Sequence, residues 1–198
     1  MSEFGTKELL DCYRRGIFPM ADNRDDPQVF LLDPDERGII PLGGLHISRS
    51  LAKFMRKMPF TITYDTCFPS IISMCAEAAP NRASTWINEG IEYLYGELHK
   101  QGNAHSVEIW EGDALVGGLY GVSIGGAFFG ESMFSRRTNA SKVALVKLVE
   151  RLNQGGYELL DTQFLTKHLE TMGAIEIPRA QYRELLEEAL KGKASFHP

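Results

Sequence analysis

The strongest constraint on the fold lies mid-chain, in "HSVEIWEGDALVGGLYGVSIGGAFFGESMF", His105 to Phe134. Three β-prone runs are separated there by "EGD" and "IGG". Glycine in a short connection supplies the positive φ that tight hairpin turns demand. The flanking β-branched and aromatic residues suit a pleated, half-buried surface. The segment predicts an antiparallel meander, and the rest of the chain must be built around three adjacent strands.

Before the meander, "TKELLDCYRRG" reads as a short helix with Thr6 as N-cap and Gly16 as its stop. "IFPMADNRDDPQ" reads as a loop and "VFLLDP" as a short strand. "DPDERGIIPLGG" is dense in turn residues and reads as the boundary between a small N-terminal α/β unit, 1–42, and a larger one, 43–198. Then come a helix in "SRSLAKFMRK", a strand in "FTITYD", a helix in "PSIISMCAEA" with Pro69 in its first turn, and a helix in "NEGIEYLYGELHKQG" closed by Gly102. After the meander the spacing predicts a helix over Lys142–Asn153, a strand in "YELLDTQF" and a short helix around "TKHLETM". A turn at Gly173, a strand "AIEIP" and a helix "RAQYRELLEEALKG" complete the chain. This order predicts an α+β fold, with a mixed, mainly antiparallel sheet flanked by helices. The layout resembles the GNAT-type acyltransferase fold.

Composition narrows the function class. With 198 residues, 43% hydrophobic and 24% charged, the chain has room for one good core. No apolar run approaches a membrane span, and the start "MSEFGTKELLD" is polar and acidic, unlike a secretory signal. Cys12, Cys67 and Cys75 show no CxxC spacing, which fits a reducing compartment and a cytoplasmic protein; a monomer is expected, though nothing in the sequence fixes the oligomeric state. The five histidines are scattered; a metal site would have to be assembled from distant segments, and neither metal nor cofactor is expected. A net charge of −5 speaks against a general nucleic-acid binder. Arg49, Lys53, Arg56 and Lys57 nevertheless form a basic island without an acid, suited to phosphates or simply to a solvated helix face.

Three polar features interrupt apolar surroundings. The GNAT turn reads [Q/R]-x-x-G-x-[G/A], and its backbone N–H groups cradle a pyrophosphate. In this chain Asn139 occupies the glycine position of that turn, which disfavours coenzyme A, and Asn139 or Ser141 can equally be an N-cap. Glu131 is one acid among glycines and aromatics and needs a partner or a wet cleft. Asp161 and Gln163 alternate onto one face of a strand with Leu159, where a carboxylate beside an amide can orient an amine and relay its proton. Leu145, Leu148, Val149 and Leu152 form a helix stripe that is core or, at one edge, the lining of an apolar pocket. Trp86 is either half-buried or free to stack on a base.

"LHISRS", "STWI", "AHSVEIW", "LVGGLYGV", "FFGESMFSR", "NASK" and "LLDTQFLTKHLETMGA" with "EIPR" resemble, in order from about Ile17 to Tyr182, the signature segments of the bacterial leucyl/phenylalanyl-tRNA–protein transferase family. The resemblance implies a small N-terminal domain on a GNAT-like domain, and an aminoacyltransferase. It would move Leu or Phe, with Met as a further donor, from aminoacyl-tRNA to the α-amine of proteins beginning with Arg or Lys, marking them for degradation. It also implies Asp161 and Gln163 as the proton relay, with Glu131 holding the reacting amino groups and the terminal adenosine. Leu119, Phe128, Leu145, Leu148, Leu152 and Leu160 correspond to the aminoacyl pocket. Trp86 corresponds to a tryptophan near the terminal adenosine, and Arg49, Lys53, Arg56 and Lys57 to a tRNA-contacting cluster. Family members often read "WWSPDPR" where this chain has "LLDPDER", so Leu31 and Leu32 replace tryptophans. The alternatives are a related transferase for acidic N-termini, an acetyl-CoA-dependent N-acetyltransferase and a non-catalytic tRNA-binding module.

Overall fold

The computed structural model describes residues 4–77 and 85–198. The N-terminal elements are α1 (Thr6–Arg14), β1 (Phe18–Met20) and β2 (Phe30–Leu32), the two strands pairing antiparallel as a small sheet of their own. The "IFPM" loop expected there is thus strand β1. Thr6 is the first helical residue rather than the cap: Gly5 precedes it and donates its N–H to the Glu8 carboxylate at 3.1 Å.

Next come β3 (Glu36–Ile40), α2 (Arg49–Met55), β4 (Phe60–Tyr64), α3 (Phe68–Ala76) and α4 (Glu89–Lys100). The meander is β5 (Ala104–Glu111), β6 (Ala114–Ile124) and β7 (Ala127–Ser135). The remainder is α5 (Ala140–Gln154), β8 (Leu159–Gln163), α6 (Lys167–Glu170), β9 (Ile175–Pro178) and α7 (Arg179–Lys191). Both meander turns place glycine first, Gly112 and Gly125, each at φ 59°, as a two-residue hairpin loop requires.

Seven strands form one sheet in the order β4-β5-β6-β7-β8-β3-β9. Only β7 and β8 pair in parallel; every other neighbour is antiparallel. The expected GNAT-like α+β architecture is present. The turn-rich reading of "DPDERGIIPLGG" is corrected: β3 is an inner strand, bonded to β8 and β9. Its apolar core is too short, and its proline and glycine neighbours too prominent, for a local pattern to reveal it.

The sheet is covered on both faces. One face packs against α1, α3, α4 and α7 through residues such as Tyr13, Ile71, Tyr95 and Tyr182, and the other against α2, α5 and α6 through Leu51, Leu145, Leu148 and Leu169. Gly117 on β6 lets α5 approach, since a Cβ there would lie 2.6 Å from the Ala140 Cβ. No helix among the described residues is long and apolar enough to cross a membrane.

Candidate active site

The parallel pairing of β7 with β8 runs only through Ala127–Leu159, Phe128–Leu160 and Phe129–Asp161. Beyond it no further pairing joins the strands. Glu131 follows on β7 and Gln163 on β8, and their side chains meet across the gap, Gln163 Nε2 donating to Glu131 Oε1 at 3.1 Å. A cavity of about 320 Å³ lies at this split, at the small end of ligand pockets. Leu119, Leu145, Leu148 and Leu160 line it with Met133 and Leu169, while Glu131 and Gln163 stand on its polar side. Trp86 lines the same cavity. Phe128 and Leu152 do not line it; both are fully buried in the layer behind.

Glu131 is almost wholly buried and has three donors. Besides Gln163, Tyr13 Oη donates to Oε1 at 2.6 Å and Tyr95 Oη to Oε2 at 3.2 Å, and the two tyrosine hydroxyls also contact each other closely. Burial lifts the Glu131 carboxyl to about 7, against the pull of its Tyr13 and Gln163 hydrogen bonds, with Asp161 adding repulsion. Burial, then the Glu131 charge, also holds both tyrosine hydroxyls well above their usual range, so they remain donors.

Asp161 is enclosed instead. It is fully buried, does not line the cavity, and receives Arg37 Nε at 3.0 Å and Nη2 at 2.6 Å, with Tyr182 Oη at 2.7 Å. Arg37 is itself 1% exposed, sandwiched between the Phe18 and Tyr182 rings at 4.6 and 4.5 Å, and its Nη1 donates to Gly16 O. The remaining Asp161 contact holds the site's backbone: Oδ1 accepts the Gln163 N–H at 2.7 Å. Gln163 sits at φ 65°, and Phe164 N–H reaches back to Thr162 O at 2.7 Å, a γ-turn centred on Gln163. A non-glycine residue there stores on the order of 1–3 kcal/mol, sustained only because its surroundings over-determine it.

Three further cavity-lining groups escaped sequence reasoning. Tyr120 Oη, Thr162 Oγ1 and His168 Nε2 are buried without a hydrogen-bond partner among the described residues. Burial, then nearby Lys142, lowers the His168 pKa, so the ring is neutral near pH 7. Arg37, Tyr13, Tyr95 and Tyr182 also went unseen, because no local pattern ties them to Glu131 or Asp161.

The α5 entry differs from the plain cap expected. Asn139 holds the N-cap position in the left-handed region at φ 68° without a side-chain cap bond, and Ser135 Oγ accepts the Ser141 N–H instead. Arg136 and Arg137 pair with Glu77 and Glu111 at 2.6 and 2.8 Å. Arg49, Lys53, Arg56 and Lys57, on and just after α2, are all exposed and pair with no carboxylate among the described residues.

The fold resembles the crystal structure of FemX, with a TM-score of 0.53 over 92% of this chain and 71% of that one, at 11% identity, a likeness of fold alone. Two family models match: leucyl/phenylalanyl-tRNA protein transferase over residues 39–187 and leucyl/phenylalanyl-tRNA protein transferase N-terminal domain over residues 3–35. A leucyl/phenylalanyl-tRNA–protein transferase of Maricaulis maris is 60% identical over 196 residues, 99% of this chain and 91% of that protein. Its counterpart in Phenylobacterium zucineum is 57% identical over 197 residues, covering 100% and 89%. With both models and relatives this similar along its length, the chain belongs to the leucyl/phenylalanyl-tRNA protein transferase family.

Proposed function

We propose that this chain transfers leucine or phenylalanine, and less selectively methionine, from aminoacyl-tRNA to the α-amine of proteins beginning with Arg or Lys. The observation that carries the reading is the split between β7 and β8, where an apolar cavity meets a buried carboxylate near neutrality. The aminoacyl side chain occupies the leucine-lined end, while Phe128 and Leu152 shape that end from behind. One methylene in an apolar pocket is worth only about 1–3 kcal/mol, so overlapping donors are expected.

Glu131 is the group best suited to handle the reacting amine. An α-ammonium ionises near pH ~8, so passing its proton to a carboxylate of about 7 costs roughly 1.4 kcal/mol. The free amine attacks the ester carbonyl, and as the bond to the ribose oxygen breaks Glu131 passes its proton to that oxygen; the carboxylate so restored takes the surplus proton from nitrogen and releases it to water, leaving a neutral amide. Gln163 orients the amine. Asp161, enclosed by Arg37, acts through Gln163 by holding its γ-turn. Tyr120, Thr162 and His168, without hydrogen-bond partners among the described residues, are left to meet the donor's amine and terminal ribose. Trp86 stacks on the terminal base, and Arg49, Lys53, Arg56 and Lys57 contact tRNA phosphates. The units 1–42 and 43–198 divide this labour without dividing the sheet, since Arg37 of the first secures Asp161 of the second. We take the enzyme to act as a cytoplasmic monomer.

The test is transfer of label from leucyl-tRNA to peptides beginning with Arg, Lys, Asp or Glu. Labelling of Arg and Lys peptides is expected. Labelling of acidic peptides alone would transfer the reading to an acidic-acceptor enzyme. Tight coenzyme A binding with acetyl transfer, or tRNA binding without transfer, would reject it.

A further inference from the structure

The structure does what the sequence makes improbable: it assembles two scattered histidines with a carboxylate. Asp65 follows β4 directly, His105 is the second residue of β5, and His197 lies in the tail beyond α7. His105 Nδ1 and His197 Nε2 each lie 2.7 Å from the same oxygen, Asp65 Oδ2, and the three ligand atoms fall within 4.8 Å of one another. The carboxylate is fixed by the Ser106 N–H, which reaches Oδ1 at 2.8 Å, and the His105 ring by stacking on Phe196 at 4.3 Å. His99, whose Nδ1 is 3.9 Å from Asp65 Oδ1, is committed elsewhere, bonding Ala104 O at 2.8 Å.

We propose that Asp65, His105 and His197 form a binding site for a divalent transition metal of the zinc type. Two imidazole nitrogens and one carboxylate oxygen are a donor set that suits Zn²⁺, whereas Mg²⁺ and Ca²⁺ prefer oxygen ligands. Ligand atoms already this close need only small side-chain adjustments to reach zinc distances of about 2.0–2.2 Å. The Ser106 N–H and the Phe196 ring supply the orienting outer contacts that such sites use. Because His197 is 56% exposed, the fourth position opens to water. Its office is structural: the metal ties the tail to the β4–β5 edge. The tail also binds through Ser195 N–H to Gly155 O at 3.0 Å. Phe196, buried to 3%, stacks on Phe128 at 5.8 Å, behind the leucine-lined cavity. This departs from the expectation of no metal and does not depend on the transfer reaction.

The test uses the whole chain, stripped with chelator and titrated with Zn²⁺ by calorimetry and with Co²⁺ by visible absorbance. The wild type is expected to bind one metal, give the intense bands of four-coordinate cobalt, and melt at a higher temperature with Zn²⁺. The exposed variant His197→Ala, and separately Asp65→Asn, should each weaken binding at least ~10-fold and abolish the melting shift. The proposal is overturned if both variants bind Zn²⁺ as tightly as the wild type, which would place binding at other residues. It is equally overturned if the wild type binds no metal, which would leave a hydrogen-bonded clasp only.

Discussion

Glu131 and Asp161 are both buried acids, yet their surroundings give them opposite work. Glu131 has only neutral donors, so burial dominates and its carboxyl rises from the usual 4.5 to about 7. The folded state then holds a proton that the unfolded chain releases between those values. This group's contribution to stability is therefore greatest below about pH 4.5 and is lost as pH rises to about 7, by roughly 3 kcal/mol at most. Glu131→Gln should remove that slope from urea midpoints measured across the window. In single-turnover assays the wild-type rate should rise through about pH 7, while the variant lacks that inflection, follows only the ionisation of the amine near ~8, and is slower by ~10²–10⁴. An unchanged pH profile in Glu131→Gln would assign the proton to another group. Asp161 is instead neutralised by Arg37, and its removal leaves a buried cation. Asp161→Ala should therefore cost about 3–5 kcal/mol of stability as well as activity, read from denaturant midpoints.

Helices α2 and α5 carry the two element-scale expectations. Arg49, Lys53, Arg56 and Lys57 of the α2 segment, unpaired with any carboxylate among the described residues, should set the salt dependence of tRNA binding, with each phosphate contact contributing about 0.7–0.9 to the slope of log affinity against log salt. Neutralising Arg49, Lys53, Arg56 and Lys57 together should flatten that slope by about 3 in fluorescence-anisotropy titrations; an unaltered slope removes α2 from the interface. On α5, Leu145 and Leu148 reach the cavity from one edge of the core stripe. Leu148→Trp should abolish transfer of phenylalanine while uncharged tRNA still binds, measured as transfer rates beside affinity. Both helices were legible locally, one by apolar period and the other by its run of basic residues. The Asn139 conformation was not: the residue is where a cap belongs, but its left-handed backbone passes the capping task to Ser135.

Across the whole molecule, the site is closed by residues far apart in the chain. Arg37 reaches Asp161 across 124 residues and joins the N-terminal segment to β8, with Tyr182 of α7 completing the enclosure. Arg37→Met should lower stability by about 3–5 kcal/mol and depress transfer beyond the unfolded fraction, because Gln163 loses its support. Circular dichroism at rising urea and transfer rates per folded molecule separate the two effects. The meander, the helices and the α+β order were determined by the sequence alone, because turn glycines and apolar periods act between neighbours. So were the chemical types at Glu131, Gln163 and the leucine stripe, and the motifs that place the chain in its family. Only the tertiary structure decided that β3 is an inner strand, that Asp161 faces Arg37 rather than the cavity, and that Asp65, His105 and His197 converge. Those outcomes depend on pairings between distant segments and on burial, which sets a carboxylate's charge by what surrounds it in space.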